Sequence, residues 1–169
     1  RQMCIRDRYN TFSKIATILG PSNIVSDNNH IYSERGFYNT LSEQAELLDR
    51  SILTNDGKKL IGDSLFYDRK VGYGEAFDNI RMTDTINKNM LTGNYCFYNE
   101  LTDSAFATKR AVAIDYSQGD SLFMHGDTLQ LVSYNLNTDS VFRLMKAYHK
   151  VRMYRTDVQG AVSYTHLRA

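Results

Sequence analysis

The sequence predicts an all-β protein built from units of about 30 residues, stacked so that each unit covers its neighbour's apolar face. Three observations predict it. Aromatics reach 12% with no Trp and a single Pro (Pro21), a composition that leans toward residues fitting a pleated, half-buried surface. A Tyr followed by Asn or Asp and a short polar turn recurs in Phe37-Tyr38-Asn39-Thr40, Phe66-Tyr67-Asp68-Arg69, Phe97-Tyr98-Asn99-Glu100 and Ser133-Tyr134-Asn135-Leu136, with the tyrosines 29, 31 and 36 residues apart. Apolar and polar residues alternate in Ile80-Arg81-Met82 and Val151-Arg152-Met153, the period of a half-buried strand.

Each unit reads as strand, Asn/Asp turn, strand and a polar link. Asn and Asp suit the turns because their side chains hydrogen-bond to nearby backbone and tolerate left-handed conformations. Gly62-Asp63-Ser64-Leu65 and Gly93-Asn94-Tyr95-Cys96 open two units at the same offset, and Gly126-Asp127-Thr128-Leu129 repeats the opening. On the return, Ala76–Met82 matches Ala147–Met153, with Lys109–Asp115 a looser copy, and Thr83–Asn89 is a polar link. One segment points the other way: Thr40-Leu41-Ser42-Glu43 has the form of a helix capping box, and Gln44–Leu48 would continue a helix. Aligned with the other units, Ser42–Ala45 becomes a hairpin tip and Glu46–Leu53 a strand, which is the reading adopted, since tertiary context overrides local propensity.

Alternation also selects an inward-facing set: Leu65, Tyr67, Ile80, Met82, Leu129, Leu131, Val151 and Met153. Plain core packing accounts for these positions as well as ligand contact does. In the third unit Tyr95 and Phe97 compete with Cys96 and Tyr98 for the inner face.

The runs Leu19–Asp27 and Ile31–Thr40, the Gly-Asp-x-Leu openings at Gly62 and Gly126, Leu91-Thr92-Gly93-Asn94 and Ala147–Arg155 resemble the repeats of the OstA-like (LptA) family of Bacteroidetes type. That family includes the periplasmic bridge LptA and the amino-terminal domain of LptD. The resemblance spans residues 10–161. It implies an elongated, open, V-shaped β-jellyroll of stacked antiparallel strands that holds the acyl chains of lipopolysaccharide, in the periplasm with association to the outer membrane. It also implies edge-strand pairing with like domains, self included, and no catalyst. On this resemblance the eight inward residues are the lipid-cleft candidates. Two other classes remain open: a structural or adhesive β-solenoid without ligand, and a carbohydrate-active β-helix. Residues 1–8 and 163–169 resemble translated sequencing-adapter reads and are expected to be non-native ends, the chain being a fragment of a longer protein.

Other chemistry finds little support in the residues. A net charge of +1, with both signs mixed along the chain, argues against a nucleic-acid partner. Cys4 and Cys96 cannot make a disulfide framework or a four-ligand zinc site by themselves, and no cofactor is expected. His30, His125 and His149 lack metal-ligand spacing and read as exposed or edge-strand residues, while Cys96 reads as a packed thiol. Gly72-Tyr73-Gly74 begins like a dinucleotide loop, but no strand-loop-helix pattern surrounds it, so a bend beside a hairpin is expected. The basic residues Lys146, Lys150, Arg152 and Arg155 alternate along their segment, as on a solvated face, with lipid A phosphates as the alternative contact.

Overall fold

A computed structural model describes residues 8–26, 29–55 and 57–156, together with the backbone of 162–166. Among them the chain is all-β, an open antiparallel sheet that does not close on itself. The strands are β1 (Arg8–Asn10), β2 (Ile15–Ile18), β3 (Ser22–Ser26), β4 (Asn29–Ser33), β5 (Arg35–Asn39), β6 (Gln44–Leu48), β7 (Ser51–Asn55) and β8 (Lys58–Gly62). They continue with β9 (Ser64–Asp68), β10 (Tyr73–Asp84), β11 (Asn89–Asn99), β12 (Ser104–Asp115), β13 (Ser121–Tyr134), β14 (Phe142–Tyr148), β15 (Arg152–Thr156) and β16 (Val162–His166).

Pairing divides the sheet into two arms. One runs β1-β2-β5-β6-β9 and on through the first half of β10, the second half of β11, the first half of β12 and the second half of β13 to β14. The other runs β3-β4-β7-β8 and through the remaining halves of β10 to β13, then to β15 and β16. The segment 163–166, expected from sequence to be foreign, thus supplies most of β16; residues 1–7 and 167–169 lie outside the described residues.

The arms meet at a crease that is built the same way at four crossings of the chain. Asp49-Arg50, Asp78-Asn79, Lys109-Arg110 and His149-Lys150 are pairs of successive residues with φ between 50° and 65°. In β10 the pair Asp78-Asn79 faces the single residue Asn94, since Phe77 is opposite Tyr95 and Ile80 opposite Gly93. Such a two-against-one bulge bends a strand and re-aims the residues beyond it. Backbone bonding continues around the bend: the Asp63 amide donates to the Phe77 and Asp78 carbonyls, and that of Asp127 to His149.

The hairpin tips share one construction too. Asn10, Asn39, Asp68, Asp84, Asn99 and Asp115 each accept hydrogen bonds through a side-chain oxygen from amides two or three residues on. Four residues after each stands a positive-φ residue, namely Lys14, Glu43, Gly72, Lys88, Asp103 and Gly119. The turns expected after Tyr38, Tyr67 and Tyr98 are therefore Asx turns, and Gly72 serves a hairpin. The capping-box segment forms no helix. Its tip closes earlier than expected, at Glu43 instead of Ala45, because Asn39 captures the Leu41 and Ser42 amides. The expected strand Glu46–Leu53 is divided by the left-handed pair Asp49-Arg50 into β6 and β7.

One hydrophobic cluster joins the arms: Leu47, Leu65, Ala76, Cys96, Ala107 and Leu129 from the first pack with Ile80, Leu91, Ala111 and Ala113 from the second. The sheet therefore folds over on its own inner face. Small residues line that face at the crease, where backbones approach closely. Ser33 and Ser51 are fully buried and hydrogen-bonded to each other at 3.2 Å. A Cβ on Gly36 would lie 2.5 Å from the Glu46 carbonyl oxygen.

Two stability changes are expected from this geometry. Gly36→Ala forces a methyl into the paired backbone of β6 and is expected to destabilise by about 2–3 kcal/mol in urea unfolding. Glu43→Gly relieves a left-handed residue at φ 60°. It should stabilise by about 0.5–1 kcal/mol after the entropy cost of glycine is subtracted.

Candidate functional site

The inner face is the candidate site, and the register sorts its side chains into two rows per arm. In the first arm the row nearest the crease holds Leu47, Leu65, Ala76, Cys96, Ala107 and Leu129, all at most 5% exposed. The next row alternates large and small: Tyr38, Ala45, Tyr67, Gly74, Tyr98 and Ala105, followed by Leu131 and Met145. Alternation of size lets rings from one strand lie over the small neighbours on the next. In the second arm a continuous apolar row crosses nine strands: Ile24, Ile31, Leu53, Leu60 and Met82, then Leu91, Ala113, Met124 and Met153.

Six of the eight sequence-selected residues stand in these rows, while Ile80 lies opposite Gly93 beside the crease and Val151 just before β15. Leu65, Ile80 and Leu129 are 5%, 3% and 1% exposed and belong to the packed cluster. Tyr67, Met82, Leu131, Val151 and Met153 are half-buried. Met82 and Met153 share the second-arm row, while Tyr67 and Leu131 share a first-arm row. The third unit resolves to Cys96 and Tyr98 inside, with Tyr95 and Phe97 outside. Cys96 stands opposite Ala76 and Ala107 in the buried row next to the crease, and the outer rings find aromatic partners. Burial pushes the Cys96 thiol up to about 11, so it stays protonated and is a poor nucleophile.

Sequence reasoning missed Ile24, Ile31, Leu53, Leu60, Leu91 and Met124. Alternation could have found each within its own strand, but only the register shows them to be one row.

Polar groups border this apolar face. The Tyr67 hydroxyl donates to Glu100 at 3.4 Å and that of Tyr98 to Asp103 at 3.3 Å, so their hydroxyls reach the hairpin tips. Burial and then Glu100 raise the Tyr67 hydroxyl above its ordinary value. At the far rim of the second arm Asp84 is 8% exposed. Burial by itself would raise its carboxyl, but hydrogen bonds from the Asn87 amide and side chain and the Ile86 amide outweigh it and hold it below the usual range.

The basic residues do not converge. Lys146 stands on the outer face of the first arm opposite Gln130, Lys150 at the crease, and Arg152 on the outer face of the second arm opposite His125. Arg155 is bound to Asp120 through two nitrogens. His30 is exposed on β4 and His149 is in the crease, as expected of solvated histidines. His125 departs from expectation. It lies in the interior strand β13, half-buried, 3.2 Å from the Tyr154 hydroxyl and stacked on that ring. Burial, then Arg152, lowers its basicity. No group of three His, Cys, Asp or Glu able to hold a metal occurs among the described residues. They also contain no helix long and apolar enough to cross a membrane.

Fold and face together define a class: an open, folded-over antiparallel β protein with a continuous apolar inner row. Compared with known proteins, the chain matches no family model and no curated sequence.

Asp84 yields a pH prediction. Its folded-state carboxyl is lowered, so its contribution is complete above the ordinary carboxylate range and is lost as pH falls through the lowered native value. Asp84→Ala should cost about 1–2 kcal/mol at pH 7. The gap from the parent protein should narrow below about pH 4 in denaturant titrations at stepped pH.

Proposed function

We propose that this chain is a non-enzymatic lipid-carrier module of OstA-like type, an open V-shaped β-jellyroll of about 30-residue repeats. It would act in the periplasm, with association to the outer membrane, and hold lipopolysaccharide acyl chains between its two arms. The observation that carries the reading is the second-arm row of aliphatic and Met side chains, of which Ile24, Ile31, Leu53, Leu60, Met82 and Met124 are only partly buried. Shielding an acyl chain from water contributes about 0.8 kcal/mol per CH₂, and Met adapts to irregular partners. Since Leu65, Ile80 and Leu129 are closed over by packing, the chains belong against the outer rows, where Tyr67, Met82, Leu131 and Met153 stand.

Open edges support the partner expected of such a module. At one end β1 and β3, and at the other β14 and β16, each pair on one side only among the described residues. Their free backbone groups suit strand addition by a like domain. A second reading, a packed structural β-stack with no ligand, is favoured by the burial of the crease row.

Photocrosslinking separates the two. A benzoylphenylalanine at Leu131 or Met153 should crosslink to lipid A saturably, and one at the outward Gln130 or Arg152 should not. Equal yields from both faces, or no saturable binding by a chain with an unchanged circular dichroism spectrum, would exclude the carrier and leave the packed stack.

A further inference from the structure

The outer face of the first arm carries an aromatic strip, half-buried except at the exposed Phe37, that the lipid reading does not use. The register sets Phe37 opposite Glu46, Glu46 opposite Phe66, Phe66 opposite Glu75 and Glu75 opposite Phe97, so rings and carboxylates alternate strand by strand. Tyr73 joins Phe66 to Phe97, with ring centroids 6.1 and 4.9 Å away, and Phe106 stacks on Phe97 at 5.2 Å. Phe37 is 44% exposed. A contiguous aromatic surface of this kind requires an explanation, because soluble surfaces rarely keep one without a use.

The carboxylates restrict the occupant. A hydrocarbon surface or an apolar protein face would bury Glu46 and Glu75 against groups unable to hydrogen-bond, at high cost. Glu75 is already satisfied by the Tyr95 hydroxyl at 2.7 Å and by that of Tyr73, so it does not call for a cation. Glu46 is exposed, with no hydrogen-bond or ion-pair partner for its carboxylate among the described residues. A cavity of about 170 Å³ opens beside it, lined by Phe37 and Phe66 as walls and by Asn39, Gln44 and Glu46 as polar groups. The Asn39 oxygen is held by the Leu41 and Ser42 amides, which leaves the Gln44 amide oxygen and the Glu46 carboxylate to accept hydroxyls. Ring faces for C–H groups with such acceptors between them are what a sugar ring needs. Phe37, Phe66 and Phe97 fall on alternate strands, hence about 9.6 Å apart. That is near the length of two rings in an extended β-linked glycan.

We propose that this strip, from Phe37 to Phe97, binds an extended β-1,4-linked glycan lying across the strands, with rings stacked on the phenylalanines and hydroxyls donated to Glu46. The site faces away from the lipid rows and does not depend on them.

Isothermal titration of the full chain with cellohexaose tests it. Saturable binding is expected, weakened about tenfold or more in Phe66→Ala and in the more exposed Phe37→Ala. Binding should persist in Glu46→Gln, whose side-chain oxygen still accepts a hydroxyl. Maltohexaose, which coils, should bind more weakly. No saturable heat with cellohexaose, equal affinity for maltohexaose, or unchanged affinity in a folded Phe37→Ala variant would overturn the proposal. So would tighter binding of hexalysine that Glu46→Gln abolishes, which would identify a cation site. Lipid A crosslinking at Met153 should be unaffected by Phe37→Ala, so failure of one reading leaves the other intact.

Discussion

The structure depends on bending the sheet along one line, with hydrogen-bonded pairing resumed on either side of it. A left-handed residue outside glycine is unfavourable, and here such residues come in successive pairs at Asp49-Arg50, Asp78-Asn79, Lys109-Arg110 and His149-Lys150. Each pair inserts an extra residue against its neighbour, and pairing resumes on the far side with Ile80 on Gly93 and Ala111 on Gly126. Because the bulges align, the bends add up to a crease, and a sheet that would otherwise expose one apolar face packs that face against itself. The cluster joining Leu65 and Leu129 to Ile80 and Leu91 is the result.

The crease sets the remaining composition of the inner face. Where the arms diverge from it, Ser22, Ser33 and Ser51 are buried, and a Cβ at Gly93 or Gly126 would meet the Thr108 or Thr128 carbonyl oxygen at 3.1 or 3.2 Å, so small residues fit this level best. One row further out there is room for Tyr38, Tyr67 and Tyr98, each standing beside Ala or Gly on the next strand. The inner face thus grades from small and closed to large and half-open. The outer face of the same arm has no such restriction, and its rings spread into the strip centred on Phe66 and Phe97. A two-residue period presents both faces from a single run of sequence: Leu65 and Tyr67 inward, Phe66 outward.

Much of this was legible in the sequence, because it is local. Asx turns need only an Asn or Asp and the amides just after it, so the tips at Asn39, Asp68 and Asn99 were visible as Tyr-Asn and Tyr-Asp pairs. Alternation needs only the pleat, so Leu65, Ile80, Leu129 and Met153 could be assigned to one side. Tertiary structure decided what depends on strands distant in sequence. It split Glu46–Leu53 at the crease and put Cys96, not Tyr95, in the buried row with Ala76 and Ala107. It separated the closed Leu65 from the half-open Tyr67, and it set Phe37, Glu46, Phe66 and Glu75 in one line. The reason is physical: a turn or a pleat is specified within a few residues, whereas register, burial and the company a side chain keeps are specified only when separate strands pair and their bends coincide.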